Sequence, residues 1–136
     1  MKRNADVALI LWNPDVIQLM SLVLGRRKLI SSGLEPSAGT DKITDVIASC
    51  GAPVIVFDLA PPYCSSAAVL RDLMNRFPDR SFLMTCADPV LAIRKAPWLA
   101  MHMLFQKPYE ADDLAQTVCA MARRTLHSFT ACSFVM

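Results

Sequence analysis

Asp58, Thr85 and Lys107 are the residues on which chemistry could be built, because each is a polar side chain at the end of a short apolar run. Asp58 closes Val54-Ile55-Val56-Phe57, Thr85 closes Phe82-Leu83-Met84, and Lys107 follows Met103-Leu104-Phe105-Gln106. A carboxylate at the end of so apolar a run has to lie where something compensates it, since an unpaired buried charge costs far more than the run gains by burial. An ammonium brought to the same place would neutralise Asp58, and a hydroxyl would add a hydrogen bond. Taken singly, a threonine after a strand is usually a turn residue and a lysine is usually solvated. The three count only if the fold brings them together, as an anion acceptor, a hydroxyl and an ammonium on one small site.

The order of the elements is what would do so. Residues 7–12 are continuously apolar and run into Asn13-Pro14-Asp15, which supplies an N-cap, a proline suited to the first helical position and an acid in the first turn. Val16, Leu19, Met20 and Val23 then fall at helical spacing, and Arg26, Arg27 and Lys28 close that helix with the charge its dipole favours. Residues 34–37 read as a short second strand, placed at a sheet edge by Pro36. Thr40 is the expected cap of a helix ending near Gly51, and Ser65 or Ser66 that of a helix stopped by Pro78. Residues 81–85 form the fourth strand. Asp88-Pro89 opens a short helix that Pro97 ends, residues 102–105 make the fifth strand, and Asp112 and Asp113 start the last helix. Strands alternating with helices in this way give an α/β fold whose parallel sheet is covered on both faces. The carboxyl ends of such strands share one edge, where open α/β folds place their ligand sites.

Composition narrows the function classes. A chain of 136 residues, 54% hydrophobic and 19% charged, fills one domain, assigned here to residues 1–125. Residues 126–136 are expected to be a frayed C-terminal tail. The net charge of +2 comes from scattered side chains, and the densest basic cluster ends a helix, so nucleic-acid binding is not indicated. Five cysteines without C-x-x-C spacing suit buried thiols in a reducing compartment, and the apolar run at residues 7–12 is too short for a signal-peptide core or a membrane span. The expected location is cytoplasmic, with no membrane partner.

As a set, Asn13-Pro14-Asp15, Asp58-Leu59-Ala60-Pro61-Pro62, Thr85 and Lys107-Pro108 resemble the response-regulator receiver domains of two-component signalling, over roughly residues 5–125. The resemblance implies a flavodoxin-like (βα)5 doubly wound sandwich with strand order 2-1-3-4-5. It implies Asp58 as acceptor of a phosphoryl group from a histidine kinase, Thr85 and Lys107 holding the oxygens, and a cis peptide before Pro108. It also implies a Mg²⁺ ion held by Asp58, the backbone carbonyl of Ala60 and an acidic pair at the end of strand one. That pair is here Leu11 and Trp12, neither of which can ligate a hard cation, and Asn13 offers one neutral amide oxygen. The family's aromatic position three before the lysine is Leu104, its glycine eight after the acceptor is Ser66, and its small residue after the threonine is Cys86.

The expectation is therefore a single-domain, receiver-like protein of a phosphorelay. Asp58 stands at the phosphoacceptor position in a standing ion pair with Lys107, Mg²⁺ binds weakly or not at all, and signalling runs through protein contact. A histidine kinase or another signalling protein is the partner, and a homodimer is compatible. The alternative is an ordinary receiver phosphorylated on Asp58. An enzyme is the competing class, with Cys86 as nucleophile and His102 or His127 as base, but no nucleophile elbow accompanies them and residue 102 falls in an apolar strand. A third class is a structural module docking through its last helix and through Phe129, Phe134 and Val135 of the tail.

Overall fold

The computed structural model describes residues 4–135, and the side chains of residues 4–124. Five parallel strands, β1 (Val7–Ile10), β2 (Ser31–Leu34), β3 (Val54–Asp58), β4 (Ser81–Cys86) and β5 (Leu104–Gln106), form one sheet in the order β2-β1-β3-β4-β5. Helices α1 (Pro14–Arg26), α2 (Thr40–Cys50), α3 (Cys64–Arg76), α4 (Pro89–Lys95) and α5 (Ala111–Val135) alternate with them. This is the flavodoxin-like, doubly wound (βα)5 arrangement expected from the sequence.

Strand alternation divides the core into two layers. Val7, Leu9 and Leu11, Val54 and Val56, and Leu83 pack against Met20, Val23 and Leu24 of α1 and Leu114, Val118 and Met121 of α5. Ala8 and Ile10, Ile55 and Phe57, and Phe82 and Met84 pack against Ile43 and Ile47 of α2 and Leu70 and Leu73 of α3, with Leu99. Strands apolar at every position are what a sheet buried on both faces requires.

The local signals mostly act as their chemistry dictates. The Asn13 side chain accepts from the Asp15 N–H at 2.8 Å with Pro14 at the first helical position, Asp88 caps α4 by accepting from the Leu91 N–H, and Gly51 ends α2 in the left-handed region. Four assignments are corrected. Strand β2 lies at residues 31–34, not 34–37, because Pro36 opens a 3₁₀ turn (Pro36–Ala38) that ends the strand. The N-cap of α3 is Tyr63, with φ +62, rather than Ser65 or Ser66, and Gly39 rather than Thr40 caps α2. His102 stands before β5, exposed and edge-on to Trp98, because the 3₁₀ segment Pro97–Met101 extends to meet it. The backbone of the stretch set apart as a tail continues α5 to Val135; the expected contacts of Phe129, Phe134 and Val135 lie outside the described side chains.

Gly33 explains how an edge strand with one apolar residue is covered. A Cβ there would lie 2.4 Å from the Ile17 Cγ2, so α1 sits directly on the glycine. Gly33→Ala is expected to destabilise the protein by about 1–3 kcal/mol, the usual penalty of overpacking. Chemical denaturation checks this, and Ile17→Ala in the same chain should recover part of the loss, giving a non-additive pair.

Candidate functional site

The same alternation determines what gathers at the carboxyl edge of the sheet. Asp58 is in phase with Val54 and Val56, Thr85 with Leu83, and Lys107 with Phe105, all of which face α1 and α5. Leu11 shares that phase and lies 1% exposed in the same layer. The register of β3 with β4 sets Asp58 opposite Thr85, and Lys107 donates its backbone N–H to the Cys86 carbonyl. The three residues singled out in the sequence are therefore together on one side of the sheet.

Asp58 is 3% exposed and has a donor on each oxygen. Its Oδ1 accepts from the Thr85 hydroxyl at 2.9 Å and pairs with the Lys107 ammonium at 2.5 Å; its Oδ2 accepts from the Trp12 backbone N–H at 3.2 Å. The expected ion pair is present, and it is charge-assisted and short. The Lys107 side chain remains 37% exposed, so water reaches the cationic end of a buried anion. The peptide between Lys107 and Pro108 is cis, as the resemblance implied, and so is that between Pro61 and Pro62.

Sequence reasoning missed the third donor. It treated Trp12 as a side chain replacing an acid, whereas its backbone is what meets Asp58, and its indole, out of phase with Leu11, lies on the opposite face of the sheet. Asp58 and Lys107 open onto a pocket of about 350 Å³ walled by Leu11, Val16, Leu19 and Met20, with Tyr109 at its side. Trp12 instead lines a second pocket of similar volume, between α2 and α3. Asn13 lines the first pocket, but its side-chain oxygen is held by the Asp15 N–H. The Ala60 carbonyl accepts from the Tyr63 N–H, and the Ala60 N–H donates to the Ser66 hydroxyl, which ties the loop after β3 onto α3. Among the described residues no group of three or more His, Cys, Asp or Glu side chains gathers.

Cys86 and Tyr109 flank the site. Burial pushes the Cys86 thiol up from its ordinary 9.0, with Asp58 and Asp88 adding to the rise and Lys107 opposing it. Burial, and then Asp58, raise the Tyr109 phenol from 10.0. Cys86 packs with Met84 on the α2–α4 side, away from the Asp58 carboxylate, and His102 lies exposed at the far end of β5.

The sequence matches no family model and no curated protein. Solved structures do match. The signal receiver domain of a protein described as a Luxo repressor, from Vibrio parahaemolyticus, is similar with a TM-score of 0.73 and 19% identity, covering 96% of this chain and 98% of that one. The chemotaxis protein CheY4 of Vibrio cholerae gives 0.68 at 14% identity, covering 86% and 98%. The receiver domain of nitrogen regulatory protein C gives 0.70 at 15% identity, covering 90% and 98%. At these identities the likeness establishes the fold: this chain has the fold of response-regulator receiver domains.

The raised thiol and phenol have a consequence for stability. The native state keeps protons on Cys86 and Tyr109 at pH values where the unfolded chain has released them, so stability should fall as pH rises above about 9. Urea unfolding at about pH 7.5, 9 and 10 is expected to show that decline. In Cys86→Ala the part setting in near the thiol's ordinary value should be absent and the later part, from Tyr109, should remain.

Proposed function

We propose that this chain is a receiver-like signalling module of a two-component phosphorelay, with Asp58 at the phosphoacceptor position and its signal passed by protein–protein contact. The observation that carries the reading is the convergence of Asp58, Thr85 and Lys107 at the carboxyl ends of β3, β4 and β5 in a fold shared with receiver domains. A histidine kinase or another signalling protein is the partner by this reading, and a second copy is compatible with it. Leu19 and Leu22 are exposed on α1, and Leu19 lines the opening to Asp58, so an apolar contact surface adjoins the charged pair.

The module depends little on a divalent ion. Mg²⁺ demands an octahedron of hard oxygen ligands, commonly with two carboxylates anchoring it. Around Asp58 the described residues offer one carboxylate, whose oxygens already have three donors, together with the Ala60 carbonyl. Leu11 occupies the position of one lost acid, the Trp12 indole lies on the other face, and Asn13 spends its oxygen on its own helix. These residues do not fit the ion.

The module is a signalling element and not an enzyme. Cys86 carries a thiol that burial makes harder to deprotonate, and His102 lies exposed before β5, on the amino side of that strand, while Cys86 ends β4. No helix among the described residues is long and apolar enough to cross a membrane, and the reading places the protein in the cytoplasm. An ordinary receiver phosphorylated on Asp58 is the second reading, favoured by the presence of both Thr85 and Lys107 on one carboxylate oxygen.

Thermal and chemical melts of the parent and Asp58→Asn, each with and without Mg²⁺, separate the two. The amide of Asp58→Asn keeps one acceptor oxygen but loses the charge that pairs with Lys107 and sets an NH2 against a donor that the second oxygen accepted from, so the variant should lose about 1–3 kcal/mol, less than a fully buried pair because Lys107 is partly solvated. Mg²⁺ should leave both proteins unchanged. A rise in melting temperature with Mg²⁺ that vanishes in Asp58→Asn would reinstate the ordinary phosphorylated receiver.

A further inference from the structure

We infer that the pocket between α2 and α3 binds a flat, uncharged heteroaromatic ring of the nucleobase or flavin class, seated against the indole of Trp12. This inference is independent of the receiver reading, because none of its residues belongs to the Asp58 cluster except through the backbone of Trp12.

Position is the first support. In a sheet of order 2-1-3-4-5 the chain leaves β1 in one direction and returns to β3 in the other, and the crevice outside those strand ends is where doubly wound folds receive ligands. The second pocket is that crevice. Its walls come from the loops after β1 (Trp12), β2 (Pro36, Thr40) and β3 (Pro61), and from the first turn of α3 (Ser65, Ser66). About 350 Å³ lies at the small end of the range for small-molecule sites, which admits a ring system and little more.

Chemistry supplies the ligand class. No lining residue carries a charge, so neither a cation nor an anion finds its complement there. Trp12 is 41% exposed, is in contact with no other aromatic ring, and its ring N–H has no hydrogen-bond partner among the described residues. An indole left half in water at the end of a buried strand is a stacking platform without an occupant. Pro36 and Pro61 line the same space with flat, rigid rings. The rim is polar but neutral. Thr40 and Ser65 have hydroxyls free among the described residues, and Ser66, which accepts from the Ala60 N–H, keeps its own proton to donate. A ring with carbonyl or imino acceptors on its edge matches this set, whereas a plain hydrocarbon would leave the hydroxyls desolvated and unpaired.

Riboflavin is the probe, because an indole stacked on its ring quenches its emission. Titrating the full chain into riboflavin should give saturable quenching, competed by adenosine if the pocket reads the nucleobase class generally. Trp12→Ala should weaken binding by roughly tenfold or more, the loss expected when a stacking platform is removed, while Trp98→Phe should bind as the parent does. Amide shifts on riboflavin addition should fall on Gly39, Thr40, Ser65 and Ser66, leaving Lys107 and Tyr109 still; this readout stands even if Trp12→Ala folds poorly. Absence of saturable quenching, equal binding by Trp12→Ala, or shifts centred on Lys107 and Tyr109 would each overturn the inference.

Discussion

The Asp58 carboxylate is the constraint to which the rest of this fold answers. Taking a carboxylate out of water costs several kcal/mol even after the protein relaxes, and Asp58 is almost wholly removed from it. Three donors repay that cost, and each comes from a different strand end: the Trp12 N–H beyond β1, the Thr85 hydroxyl on β4 and the Lys107 ammonium beyond β5. They meet only while the registers of β1 with β3, β3 with β4 and β4 with β5 all hold. A slip of one residue in β3 would turn the carboxylate into the apolar layer under α2 and α3. One charge thus pins the sheet more tightly than the interchangeable apolar residues around it can.

The same arrangement limits what Asp58 can carry. As it stands the rim balances one anion against one ammonium. Phosphorylation would turn the carboxylate into an acyl phosphate, replacing a charge of −1 by one of about −1.5 to −2 at neutral pH, facing Lys107 and neutral donors only. In a site with an acidic pair the divalent ion makes up that difference, but Leu11 has turned this wall into core. Burying a leucine there contributes about 1.5–3 kcal/mol without needing any counter-ion. The charge at this edge is therefore balanced with Asp58 in its unmodified form.

Much of this was legible in the sequence. Asn13-Pro14-Asp15, Asp88-Pro89 and Gly51 specify their helix ends through local hydrogen bonds or backbone conformation, and the apolar runs of β1, β3 and β4 read as buried strands by their shortness, with β-branched residues and flanking prolines adding to the signal at β3. Asp58, Thr85 and Lys107 were recognisable as one cluster because strand alternation is a strict period of two. The misplacement of β2 has a plain cause: Ser31-Ser32-Gly33 carries no hydrophobic signal, and the reason for Gly33 is the approach of Ile17 from another element. Tyr63 capping α3 in the left-handed region was equally invisible, since its buried ring and the hydrogen bond from the Asp88 N–H to its hydroxyl are tertiary facts. A backbone N–H as the third donor to Asp58 leaves no trace in residue types at all.

Leu11 and Trp12, although neighbours in the chain, serve different sides of the sheet. Adjacent positions on a strand point to opposite faces, so the two side chains lie in different environments. Leu11 lies in the α1–α5 core; Trp12 lies on the α2–α3 side and puts an aromatic surface at the switch point of the sheet. The Trp12 N–H, bonded to Asp58 Oδ2, links the two sides. A displacement of the indole large enough to move its own backbone would alter a donor to the buried carboxylate, and a change in the carboxylate would act back on the indole by the same amount of free energy. Substituting an acid at residue 11 or a small residue at residue 12 therefore perturbs different things: the first unbalances the charge at Asp58, while the second leaves that charge and its backbone donor in place and empties the other face.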